Sequence, residues 1–286
     1  MKTLQKGWHY NLNEVFQSAN QELVISSPYI SDVGAKFLID NVSDDFKENG
    51  TLKFVSDLSP KNIYQGSTDP NSFKLLFNSI NSIQLFHLPR LHAKVYLSDR
   101  NKAIITSGNL TAGGLYNNFE YGIFVDDEIN INLIKNDLLN YGNLGATINY
   151  DEIKIYCSIS EEIKLLYKQK EKSSKKEFES KFKIAVEKAD TELIKAKIGS
   201  GALHSVFEKT IYYLLQKNIS LTTSSINEQV ADIHPDLCDN NVDRVINGIR
   251  FGKKWKHAVR TAQQNLKKKG FINLDIGNWR LMKSNH

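Results

Sequence analysis

The chain has 286 residues, a length that suits about two domains. Its 41% hydrophobic and 24% charged residues, with five Pro, exclude a disordered or fibrous protein. No run is apolar and long enough for a membrane span or a secretory signal, and two cysteines, Cys157 and Cys238, make no disulfide framework, so a cytoplasmic protein is expected. The net charge of +5 is unevenly spread. Residues 1–150 carry 12 Lys and Arg against 15 Asp and Glu, a net of −3; residues 151–286 carry 25 against 17, a net of +8. From Arg244 to the end there are 11 basic residues and one acidic, Asp275, a net of +10. A folded segment this basic points to a polyanionic partner, with a solvated Lys-rich surface as the plainer reading.

In chain order, residues 22–26 read as a buried strand before a Ser-Pro turn, 33–42 as a helix, 52–56 as a strand and 72–80 as a helix. Strand patterns then crowd together over 83–87, 91–98, 103–107 and 119–125. Residues 130–141 look helical, and 152–157 read as a last strand. The alternation implies an α/β domain with a mixed sheet flanked by helices over 1–160. Residues 161–200 form a charged helical stretch without Pro before a Gly-Ser-Gly break, and read as a connector. In 201–286, an amphipathic helix over 203–216 is followed by a second with Ser225 and Glu228 at capping-box spacing. A third runs over 255–269, and strands over 271–274 and 279–282 flank a turn at 275–278. Three helices and a hairpin make a winged helix-turn-helix pattern.

Chemistry concentrates in residues 91–127. His92 and Lys94 are two apart on a strand, so their side chains share a face with Tyr96 and Ser98, opposite the core-facing Leu91, Ala93, Val95 and Leu97. Asn109 follows in a Ser-Gly-Asn turn, and Glu120 opens the next strand. His92-Ala-Lys94, Asp99 after four residues and Thr106-Ser107-Gly108-Asn109 after six resemble the signature of the phospholipase D superfamily, with Thr106 where that family has Gly. The resemblance covers roughly residues 1–157. It implies metal-independent phosphodiester chemistry, without a cofactor, on His92, Lys94, Ser107, Asn109 and Glu120.

The residue types suit that chemistry. A neutral His92 attacks phosphorus to give a phosphohistidine, and a protonated His donates to the leaving oxygen. Lys94 and Asn109 supply donors for phosphoryl oxygens. Glu120 accepts from the second ring nitrogen of a His, while Asp99 orders the turn at 98–101. The scheme needs two histidines and the chain has one motif. His87 reads as structural, so a homodimer sharing one site is expected. No His or Cys pattern suggests a metal, and Asp126-Asp127 reads as a strand end.

On the 255–269 helix, Lys256, Arg260, Gln263 and Lys267 recur on one face beside an apolar stripe. With Lys253 and Lys254 just before that helix and Arg280 in the hairpin they suit phosphates and base edges of double-stranded DNA, with an ordinary solvated face as the plainer reading. Residues 255–281 look similar to the winged helix of some methylated-DNA restriction endonucleases. Together these features lead to a sequence-specific type II restriction endonuclease, acting beside a cognate DNA methyltransferase. The alternatives are a non-specific DNA or RNA nuclease, a phospholipase D-type lipid phosphodiesterase, and a non-catalytic DNA-binding regulator.

Overall fold

The computed structural model describes residues 1–99, 102–172, 176–246 and 248–282. They pack as two units, Met1–Ala196 and Lys197–His286.

The first unit begins with β1 (Lys2–Leu4), α1 (His9–Ser18) and β2 (Glu22–Ser26). In α1, Leu12, Val15 and Phe16 recur at helical spacing and are buried. Next come α2 (Asp32–Asn41) and α3 (Asp44–Asn49). Ser31 Oγ accepts from Gly34 N–H and Ser43 Oγ from Phe46 N–H, so each helix starts on a serine cap. Then follow β3 (Thr51–Ser56), α4 (Pro60–Tyr64), α5 (Pro70–Ser79) and β4 (Ser82–His87). In α5, Asp69 caps and Pro70 occupies the first turn, where a missing N–H costs nothing. The unit continues through β5 (Val95–Ser98), β6 (Lys102–Thr106), a π turn over Gly113–Asn117, β7 (Gly122–Val125), α6 (Glu128–Leu144), β8 (Ala146–Ile148), α7 (Tyr150–Lys172) and α8 (Lys176–Ile198).

The eight strands form one mixed sheet in the order β1-β7-β6-β5-β2-β3-β4-β8. Only β2–β3 and β3–β4 pair in parallel. The registers Ser26↔Val95, Val95↔Ile105 and Thr106↔Gly122 bring the end of β2, the start of β5, the end of β6 and the start of β7 to one end of the sheet. Loops carrying polar groups gather there while the strands stay apolar.

Both faces of the sheet are covered. Tyr96, Leu23, Ile25 and Ile104 enter the larger core with residues of α1, α2, α5, α7 and α8. Val24, Val95, Leu97 and Val125 pack on the other face with Ile131 and Leu138 of α6. This corrects the expectation of a single core-facing side: Tyr96 is fully buried and Ser98 is buried.

Three further expectations change. Residues 152–157 are helical, part of α7. The connector expected over 161–200 packs along the first unit, because Ile163, Leu166, Ala185, Ala189 and Leu193 are buried in its cluster; residues 173–175 within it lie outside the described residues. Glu120 precedes its strand, which starts at Gly122.

The second unit comprises α9 (Leu203–Lys217), β9 (Leu221–Thr222), α10 (Thr223–Ile233), β10 (Asp243–Ile246), β11 (Ile249–Lys253), α11 (Lys254–Lys268), β12 (Ile272–Asp275) and β13 (Asn278–Leu281). Its core joins Phe207, Ile211 and Leu215 of α9 to Ile226 and Val230 of α10 and to Trp255, Val259, Ala262 and Leu266 of α11. Trp279 of β13 closes that core, and its Nε1–H donates to Thr223 Oγ1 at 3.0 Å. β12 and β13 form a hairpin that β9 extends to three strands. Its two-residue turn places Ile276 (φ 45) and Gly277 (φ 78) in the left-handed region, as a tight hairpin requires. The cap of α10 is Thr222, which accepts from Ser225 N–H, three residues before the expected position. The sequence patterns did not reveal the β10–β11 hairpin ahead of α11.

Candidate active site

The end of the sheet where β2, β5, β6 and β7 meet holds the motif. His92 and Lys94 lie in the extended segment entering β5, rather than on the strand itself. Two bonds fix that segment: Ser26 Oγ donates to Ala93 O at 2.9 Å, and Thr106 N–H to Lys94 O at 3.1 Å. Ahead of it, Arg90 adopts a left-handed φ of 65, and its N–H is held by Asp57 Oδ2 at 3.0 Å. A non-glycine residue kept in this conformation two positions before His92 marks a turn that the surroundings impose.

Lys94 curls back on His92. Its Nζ donates to His92 O at 2.9 Å and lies 3.1 Å from His92 Nε2. An ammonium only donates, so a charged Lys94 calls for the tautomer with the lone pair on Nε2. Lys94 is buried whereas His92 is exposed. Burial lowers the Lys94 ammonium below the usual lysine range, and the charge of Glu120 acts in the opposite direction.

Glu120 is tied to Ser107 and Asn118. Ser107 Oγ donates to Glu120 Oε2, and Asn118 Nδ2 donates to Glu120 Oε1 at 3.0 Å. Ser107 Oγ also accepts from Tyr121 N–H at 3.0 Å. The structure thus joins Glu120 to a hydroxyl and an amide in place of the expected histidine ring. Asn118 carried no motif signal; it enters only through the π turn that returns the chain to Glu120.

Asn109 sits on the same loop, with its Oδ1 buried and without a partner. The loop depends on close approaches. A Cβ on Gly114 would meet Asn109 O at 2.2 Å, and one on Gly108 would meet the Trp8 ring at 2.6 Å. Trp8 Nε1–H donates to Gly114 O at 2.7 Å, and Tyr96 OH to Gly108 O at 3.0 Å. Glycine is therefore required at both positions for aromatic groups to buttress the loop.

Other candidates fall outside the site. His87 is buried, and its Nδ1 accepts from Leu58 N–H at 3.0 Å, a structural role. Asp99 accepts from Asn20 and Gln21 N–H, at 2.9 Å each, and so joins the start of β2 to the end of β5; Arg100 and Asn101 of the expected turn lie outside the described residues. Cys157 and Cys238 are buried, and burial pushes their thiols up to about 11 and about 12, unsuited to nucleophilic attack. Among the described residues no group of three or more His, Cys, Asp or Glu is placed to hold a metal ion. Among the described residues no helix is long and apolar enough to cross a membrane.

In the second unit, Lys254, Lys256, Arg260 and Lys267 are exposed on α11. Lys253 pairs with Asp243 at 2.8 Å, and Arg280 lies 3.7 Å from Asp275. Gln263 is the exception among these residues. It is 1% exposed with an unpartnered Nε2, because its place on the helix borders the apolar stripe.

Residues 12–140, which contain the whole constellation, match the family model described as cardiolipin synthase, PLD-like domain. No curated protein matches the chain. Similar solved structures include a phospholipase D family member, Nuc, from Salmonella typhimurium, at 16% identity and TM-score 0.41 over 52% of this chain and 98% of that one. NucT from Helicobacter pylori is similar at 16% identity and TM-score 0.38, over 49% and 94%. Phosphatidylserine synthase from Haemophilus influenzae Rd KW20 is similar at 13% identity and TM-score 0.41, over 49% and 37%. The matched residues 12–140 supply β2 to β7 of the mixed sheet and the helices between them, so the likeness is one of a PLD-like fold.

Proposed function

We propose that the protein is a metal-independent endonuclease that cleaves DNA through a phosphohistidine, and that it acts as a sequence-specific restriction enzyme. The observation that carries the reading is the contact between Lys94 Nζ and His92 Nε2. It sets the ring of an exposed histidine beside a buried cation, which suits attack by neutral Nε2 on a phosphodiester whose oxygens the cation then receives. Nε2 bonds to phosphorus as the ester oxygen leaves; water then breaks the P–N bond and restores the imidazole. Asn109 adds a neutral donor to the phosphoryl oxygens. Glu120 holds Ser107 and keeps negative charge near Lys94, which favours its charged form.

The leaving oxygen needs a proton. We assign that role to the same histidine of a second copy, in a homodimer sharing one site. The exposed Phe119, Tyr121 and Tyr116 around Glu120 offer apolar surface for such a partner.

The second unit serves as the DNA reader in this account, folded as a winged helix in which α11 presents the basic face. The net charge of +10 from Arg244 onward supports a polyanion there, and a cognate methyltransferase would protect the host DNA. The name of the matched model, cardiolipin synthase, favours a second reading, a lipid phosphodiesterase.

Plasmid DNA and phospholipid vesicles, each incubated with the protein in excess EDTA, separate the two. The nuclease reading expects discrete DNA fragments and no released headgroup. Headgroup release with intact plasmid would establish the lipid reading, and strict dependence on added magnesium would defeat the mechanism.

A further inference from the structure

A groove in the second unit runs between the start of α10, β11 and α11. Its lining includes Thr223, Asn227, Phe251, Lys256, His257 and Arg260. Lys256 and Arg260 stand one helical turn apart, and neither has a carboxylate partner among the described residues. This contrasts with Lys253, which Asp243 neutralises, and with Arg280 beside Asp275 on the later hairpin. The groove therefore has two cations on its lining, Lys256 and Arg260, that no carboxylate neutralises, beside the neutralised Lys253.

The hairpin wall is apolar. Phe251 is 49% exposed, and Val245 and Ile249 of the same hairpin are exposed as well. The wall is also anchored. His257 Nε2–H donates to Phe251 O at 2.6 Å, and His257 Nδ1 accepts from Arg244 Nη1 at 3.2 Å, so one side chain of α11 ties both strands in place. Across the groove Asn227 Oδ1 is buried and lacks a donor.

Cations that no carboxylate neutralises, an exposed aromatic face and an unsatisfied amide oxygen in one concavity are the complement of a nucleotide. Charge holds phosphate, the ring packs on sugar or base, and the amide offers hydrogen bonds. The basic face lies on a 15-residue helix, which enters the wide major groove of B-form DNA but not the narrow one of A-form RNA.

We propose that this groove grips one strand of duplex DNA, with Lys256 and Arg260 on backbone phosphates and Phe251 against the adjoining sugar and base. The β10–β11 hairpin, rather than the wing β12–β13, is then the second arm of the reader. The inference rests on the DNA reading above and adds the residues that grip the strand.

The test uses the full chain carrying His92→Ala, so that DNA stays uncut, and fluorescence anisotropy of a labelled duplex over a salt series. Phe251→Ala should weaken binding about tenfold with the salt slope unchanged, since loss of one stacking contact is uncharged. Arg260→Ala should lower the slope of log K against log salt by about one. Phe251→Leu keeps the apolar bulk and serves if the alanine variant does not fold; it too should bind more weakly. Wild-type affinity and slope in these variants would overturn the groove while leaving the DNA reading intact. Duplex RNA competing as well as DNA would overturn the choice of DNA. A parent protein that binds no duplex would sink both proposals together.

Discussion

The second unit contains a histidine that should make it acid-labile. Thr210 Oγ1 donates to Val206 O at 3.3 Å and lies 2.6 Å from His234 Nε2, so it accepts the Nε2–H and leaves Nδ1 as a bare, buried nitrogen. Burial, and then the Lys197 ammonium held by Asp236, lower the His234 pKa to about 2. The unfolded chain takes up this proton near pH 6.5 and the folded chain does not. The unfolded state thus binds more protons below that pH, and stability must fall as pH falls. The slope approaches about 1.4 kcal/mol per pH unit, so the loss at pH 5 is about 2 kcal/mol. For a unit of this size that lowers the melting temperature by about 10 °C. Melting followed by tryptophan fluorescence suits the test, because Trp255 and Trp279 both lie in this core. His234→Gln, melted at pH 7 and pH 5 beside the parent, should lose far less over the interval. Equal losses in the two proteins would refute the assignment of the effect to His234.

Other consequences concern the site. Lys94→Met should reduce DNA cleavage by about 10²- to 10³-fold, the usual cost of one lost donor to a developing oxyanion. Its melting temperature should hold or rise, because a buried ammonium is removed; cleavage within threefold of wild type in a single-turnover assay would exclude the role. Glu120→Gln removes the charge that raises Lys94, so Lys94 should lose its proton at lower pH and the alkaline limb of the rate profile should move down; an unmoved limb would separate Glu120 from Lys94. Light scattering should find an active dimer, and a fully active monomer would contradict the shared site.

The site was the most legible part of the sequence, because fixed spacing along a chain survives ignorance of packing. His92, Lys94, Ser107, Asn109 and Glu120 lie on the segments that meet at one sheet end. Packing was less legible. Residues 152–157, Glu-Ile-Lys-Ile-Tyr-Cys, alternate as a strand would, yet Ile153, Tyr156 and Cys157 also recur at helical spacing, and that periodicity won once the helix found the core. Over six residues the two patterns coincide. The sheet is buried on both faces, so alternation along β5 carried no sign of which side faced solvent. Gln263 looked like part of the basic face because it falls within a few tens of degrees of Lys256 on the helix, and only the neighbouring elements decide that it is covered. The partners of Glu120 were invisible because Asn118 reaches it through a π turn that no propensity announces.

The central claim is that His92 forms a covalent bond to the phosphoryl group. Rapid quench into alkaline denaturant of the enzyme with DNA radiolabelled at phosphorus, in excess EDTA, measures it directly. The account predicts protein-bound label that is unstable to acid and stable to base, carried on the peptide containing His92, and absent from His92→Ala together with cleavage. Cleavage by His92→Ala above about 1% of wild type, well over what loss of the covalent route leaves, would contradict it.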